Sequence, residues 1–257
     1  MTFLNKLRSN KLFFILLIIV VVFVVILLIA KLLSKTNEVA YGITTQIFGS
    51  QYPDISTFKT NPTNFFILKT EDYKYIESTS PFMGLQTSCP HSGAHINFTR
   101  KNAPYEVEII TPVDGRISRI QNCFDLGTHD KFDVSVEFAS YKGSRVSLDY
   151  SIEPFDGLRC KTNPAYYEKY IKVTLGQEVK AGDVIAVMPK FSSNPSSGTH
   201  IHYNLLHQGK LLCPNIFSNQ VVTYMSNIYM QGICGGVPIN QSTLCYMPGE
   251  GEDIVSN

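Results

Sequence analysis

Residues 131–152, KFDVSVEFASYKGSRVSLDYSI, decide the fold class. Phe132, Val134, Val136 and Phe138 alternate with Asp133, Ser135 and Glu137, and a Lys142-Gly143 step interrupts the run before it resumes. Period two is the mark of a strand with one buried face, and glycine supplies the backbone of a tight turn. The same texture returns in YEVEIITPVDGRISRI at 105–120 and YIKVTLGQEVKAGDVIAVM at 170–188, broken by VDG and AGD turns. From about Gln86 no convincing amphipathic helix competes with it. The expectation is an all-β, compact β-sheet or barrel-sandwich domain over 86–215. Residues 36–85, with weak strand patterns such as NFFILKT, read as a polar connecting region packed on or leading to that core. Residues 216–257 read as a Cys-containing tail pinned by disulfides rather than by a core of its own.

Ahead of the domain, residues 12–30, LFFILLIIVVVFVVILLIA, carry no charge, Gly, Pro or amide. At 1.5 Å per residue this run covers about 29 Å, the depth of a bilayer's hydrocarbon core. A buried globular helix rarely has so long an apolar run. A cleaved secretory signal has a shorter one, and here Ala30 is followed by Lys31 rather than by a small-x-small site. Residues 1–35 therefore read as a cytoplasmic leader and uncleaved signal anchor. Lys6, Arg8 and Lys11 favour a cytoplasmic N-terminus, with the bulk of the chain periplasmic or extracellular. Lys31 and Lys35 blur that asymmetry. All six cysteines (89, 123, 160, 213, 234 and 245) lie beyond the span and none forms C-x-x-C. Zinc-ribbon and thioredoxin readings fail, and disulfides in an oxidising compartment are expected, with connectivity open. Net charge is +1, which gives no footprint for nucleic acid.

The chemistry-bearing residues are two histidine clusters. SSGTHIHY at 196–203 reads as a strand, with His200, His202 and Asn204 on one side and Ile201, Tyr203 and Leu205 on the other. Two imidazoles about 7 Å apart along a strand can converge on one point. His207 falls on the packing side or in the following turn and receives no role. CPHSGAHINF at 89–98 carries His91 and His95, which a straight strand would hold about 13 Å apart. Both can serve one site only if the chain bends at Ser92-Gly93, which glycine permits. Cys89, two residues before His91, is itself a candidate ligand, although a disulfide better suits the compartment.

Together, HSGAH, TPVDGRI at 111–117, VTLGQEVKAGDVIA at 173–186 and SSGTHIHY resemble the lysostaphin/LytM-type zinc metallopeptidases, which cut peptide cross-links of bacterial cell walls. The resemblance covers about 86–215, with a longer insertion around PFDGLRCKTNPAYYEKY at 154–170. The Gly-containing unit alone also occurs in lipoyl- and biotinyl-type domains, but their Met-Lys acceptor is missing here. The resemblance implies a LytM-like fold and Zn²⁺ held by His91, His95 and His202. His200 would then be a catalytic histidine assisting attack of an activated water on a peptide carbonyl, with Tyr150 and Asn204 touching substrate. It implies a peptidoglycan or Gly-rich peptide substrate, membrane attachment through 12–30, and a place near cell-wall or secretion machinery.

Two departures stand out. His95 occupies the position of the family's aspartate ligand, which removes one negative charge from the set. In LDYSIEPF, Ile152 occupies the position of a second catalytic histidine; losing such a group costs roughly 10²–10⁴-fold in rate. Glu153 would point to the opposite strand face and His129 lies far upstream, so neither is expected to substitute. Ile152→His is expected to raise activity. The alternatives are a catalytically degenerate relative kept as a binding or regulatory module, and a barrel-sandwich adaptor of an export complex.

Overall fold

The alternating runs become strands of one strongly curled antiparallel sheet. The computed structural model describes residues 52–80, 82, 93–98, 106–189, 198–213, 216–231, 239–240, 244–246 and 252–255. All of them belong to a compact unit spanning Tyr52–Asn257. The strands are β1 (Ile76–Ser80), β2 (His95–Phe98), β3 (Val107–Ile110), β4 (Gly115–Asp125), β5 (Asp130–Tyr141) and β6 (Ser144–Glu153). β7 (Glu178–Val179), β8 (Val184–Met188), β9 (His200–His207) and β10 (Lys210–Leu212) follow. Helix α1 (Asn219–Gln231) then precedes β11 (Ile239–Asn240), β12 (Cys245–Tyr246) and β13 (Glu252–Val255).

The main sheet runs β1-β2-β9-β6-β5-β4-β7, with β10 beside the end of β9 and β13 beside β10. β3 and β8 form a separate ladder, and β11 and β12 a short one. Two hairpins show why particular turn residues were needed. Lys142 and Gly143 take φ of 48° and 75° between Tyr141 and Ser144, and Gln208 and Gly209 take 53° and 77° between His207 and Lys210. Two consecutive positive φ values make the two-residue turn whose twist matches its strands.

One face of the sheet is apolar: Phe132, Val134 and Val136 on β5, Leu148, Tyr150 and Ile152 on β6, and Ile201, Tyr203 and Leu205 on β9 are fully buried. The β3–β8 ladder and residues 66–68 cover that face. Ile110 N–H donates to the Ile67 carbonyl at 2.9 Å, and the Tyr150 hydroxyl donates to the Ile110 carbonyl at 3.3 Å. The segment 52–80 is thus more than an approach to the core: Phe66 meets Tyr203 edge-on, 5.4 Å between ring centres, and β1 is a strand of the main sheet.

The tail holds an element that the alternation had obscured. NQVVTYMSNIYMQ folds as α1 and buries Val221, Val222 and Met225 in the shared core, an i, i+1, i+4 stripe. Disulfides join Cys213 to Cys245 and Cys123 to Cys160. The first ties the tail to the end of β10, and the second ties the 154–170 insertion to β4. Cys89 and Cys234 lie outside the described residues. Among the described residues no helix is long and apolar enough to cross a membrane, and the candidate anchor at 12–30 lies outside them.

Candidate metal centre

Strand register assembles the polar face opposite that core. β2 and β9 pair His95 with His202 and Asn97 with His200; β6 and β9 pair Ser151 with His202 and Glu153 with His200. Directly opposed residues share a face, with Cβ atoms about 5 Å apart. The polar positions of three strands, far apart in sequence, therefore stand side by side. Gly93, at φ +87°, provides the bend before β2. A Cβ there would lie 2.5 Å from Asn204 Oδ1, so a side chain at 93 would displace Asn204.

Glu153, His200 and His202 each offer a ligand atom, all within 4.8 Å of one another. His200 Nε2 lies 3.0 Å from His202 Nε2 and 3.2 Å from Glu153 Oε2, and His202 Nε2 lies 3.7 Å from Glu153 Oε1. The His95 ring adjoins them, its centre 5.5 Å from that of His202 and 6.0 Å from that of His200. The centres of the His200 and His202 rings are 4.7 Å apart. Imidazoles bound tetrahedrally to one ion at about 2.1 Å have ring centres roughly 5 Å apart, which the His200–His202 pair matches, while His95 stands beside the group of ligand atoms.

Outer hydrogen bonds define which nitrogens face inward. His200 Nδ1 meets the Gly198 carbonyl, which can only accept, so Nδ1 carries the proton and Nε2 the lone pair of the neutral ring. The Ser80 hydroxyl donates to the Gly93 carbonyl at 2.6 Å and accepts from His95 N–H at 3.1 Å. Its proton is therefore committed, and the 2.5 Å contact to His95 Nδ1 makes that nitrogen a donor as well. His200, fixed through Nδ1 with Nε2 pointing into the site, has the usual outer support of a metal-binding histidine. A carboxylate and imidazole lone pairs brought this close are stable with a cation among them, either protons on the rings or a metal ion. Burial pushes the Glu153 carboxyl up, but the His200 hydrogen bond and charge, then His202 and His129, outweigh it and hold it at about 2.

The structure brings together three of the residues singled out from the sequence, His95, His200 and His202, while His91 lies outside the described residues. It does not bring Tyr150 to them. The β6–β9 register pairs Tyr150 with Tyr203, which turns it into the core, fully buried. Asn204 is on the site face, but its side-chain oxygen accepts the Ala94 N–H at 2.8 Å and so braces the bend before β2. Ile152 pairs with Ile201 and Phe132, also inside the core. Glu153, expected to face away, is instead a site residue, because the site face of β6 is that of Asp149, Ser151 and Glu153. His129 reaches it from the β4–β5 turn, Nε2 to Glu153 Oε2 at 2.6 Å. The alternation in LDYSIE already grouped Glu153 with the polar positions, whereas nothing local pointed to His129.

Fold and site together define an antiparallel β domain with a buried Glu/His/His group able to hold a metal ion. Comparison with protein-family models, curated proteins and solved structures finds no match.

Proposed function

We propose that the chain is a membrane-anchored, envelope-facing zinc metallopeptidase that hydrolyses peptide cross-links of peptidoglycan. The observation that carries this reading is the convergence of Glu153, His200 and His202 within 4.8 Å, with the His95 ring beside them. Two imidazoles and a glutamate are among the three-ligand sets of catalytic zinc. On this reading His200 moves from the assisting role that the resemblance implies into the ligand set. Bound Zn²⁺ supplies Lewis-acid polarisation of a peptide carbonyl and of the attacking water. The chain's own contribution is orientation: Gly198 and Ser80 fix the His200 and His95 rings. Phe155, its ring centre 5.6 Å from that of His200, packs beside that ring. Anchoring through residues 12–30 with the Tyr52–Asn257 unit outside the cytoplasm fits the Cys123–Cys160 and Cys213–Cys245 disulfides.

A second reading is a metal-holding but catalytically degenerate module of wall-remodelling or secretion machinery, since β6 turns Ile152 into the core and presents Glu153, not a second catalytic histidine, to the site. Purified full-length protein incubated with cell wall separates the two. Release of new free amino groups, with about one Zn²⁺ per chain, supports the peptidase; metal without release supports the module. His200→Ala is expected to abolish release and to lower zinc content as well. Retained zinc would return the ligand role to His91, His95 and His202.

A further inference from the structure

His129 is 24 residues from Glu153 in sequence, yet the two side chains are 2.6 Å apart and only 14% and 8% exposed. We propose that His129 is a positioning residue: its Nε2–H holds Glu153 Oε2 so that the carboxylate stays presented to the metal beside His200 and His202. The proposal rests on the metal reading above.

A carboxylate only accepts, so His129 Nε2 is the donor. The Thr128 hydroxyl, 2.8 Å from Nδ1, donates to the other nitrogen, and a neutral ring satisfies both bonds at once. The ring is also fixed in its plane. Phe155 stacks on it with centres 3.9 Å apart and 16° between planes, and also meets the His200 ring, 5.6 Å between centres. Phe155 takes φ of +55° to be there, a left-handed conformation that a bulky residue keeps only where its surroundings impose it. The backbone on either side is clamped as well. Leu126 N–H donates to the His129 carbonyl at 2.9 Å. The neighbouring Asp130 carboxylate accepts from the backbone N–H groups of Arg159 and Cys160, and Cys160 is bridged to Cys123. The β4–β5 turn, the 154–170 insertion and the Glu153 carboxylate thus form one connected brace. A surface histidine meeting a carboxylate by chance would show none of these further constraints.

The test uses full-length protein loaded with Co²⁺, reading its affinity and its visible ligand-field spectrum. His129→Phe keeps the aromatic stack on Phe155 and removes the N–H. It is expected to weaken Co²⁺ binding about 10–100-fold and to change the spectrum, as loss of an outer-shell partner does. His129→Gln, which keeps an N–H donor, is expected to recover most of both, a rescue that a purely packing role would not give. If His129→Phe does not fold, His129→Leu is read in its place. Wild-type affinity and spectrum in the donor-less variant overturn this proposal alone; wild-type protein that takes up no Co²⁺ overturns it together with the metal reading.

Discussion

Glu153 is the residue on which the site's electrostatics turn. It is nearly buried, and burial alone would raise its carboxyl; three imidazoles instead hold it at about 2, below its ordinary 4.5. A carboxylate depressed in the folded state contributes stability that is fully present above its unfolded pKa and is lost as pH falls through the folded one. The window is therefore about pH 4.5 down to 2, and the contribution is on the order of 3 kcal/mol in metal-free protein. Thermal melts in chelator across that window should show wild type losing stability more steeply than Glu153→Gln, the curves converging near pH 2. Parallel curves would mean that Glu153 does not interact with the imidazoles in solution. Asn204 illustrates the opposite kind of site-face residue, polar and adjacent to the histidines but committed to Ala94.

At the scale of elements, β6 explains both what was legible and what was not. Its alternation was readable: Leu148, Tyr150 and Ile152 as one face, Asp149, Ser151 and Glu153 as the other. So were its turn at Lys142-Gly143 and the one-sided histidines of β9. Which face of β6 meets which face of β9 is set by their pairing, a non-local fact that a one-residue slip would reverse. Reading Ile152 in LDYSIEPF as the position of a catalytic histidine chose the wrong face, placing Tyr150 and Ile152 at the site and Glu153 away from it. His129 escaped notice for a related reason, since proximity across β5 and β6 leaves no trace in sequence spacing. The register also reverses the expectation for Ile152→His. The new imidazole would sit between Phe132 and Ile201, without water, where an unpaired polar group costs about 1–3 kcal/mol on top of the lost apolar packing. The variant is expected to melt at a lower temperature and to gain no amino-group release from cell wall. A gain in release at unchanged stability would mean that position 152 reaches the site.

For the whole molecule, the question is how much chain the site needs. Motif resemblance spans 86–215, and the candidate ligands Glu153, His200 and His202, with His95 and His129 beside them, lie inside those limits. Physical closure does not. Phe66, Ile67, Leu68 and Tyr73 from one flank, and Phe217, Val221, Val222, Met225 and Leu244 from the other, are buried in the same core as Tyr150 and Tyr203. Stripping both flanks would leave the apolar surface that these side chains cover, including that of Tyr150 and Tyr203, open to water. β1 pairs β2, so the same truncation also exposes the edge that carries His95 and removes Ser80, the partner of its Nδ1. A fragment of residues 86–215 is expected to lack a cooperative urea transition and dispersed amide resonances, whereas residues 52–257 should show both. A cooperative transition in the shorter fragment would mean that the flanking segments decorate an already complete core, and the site's dependence on Ser80 would then fall with it.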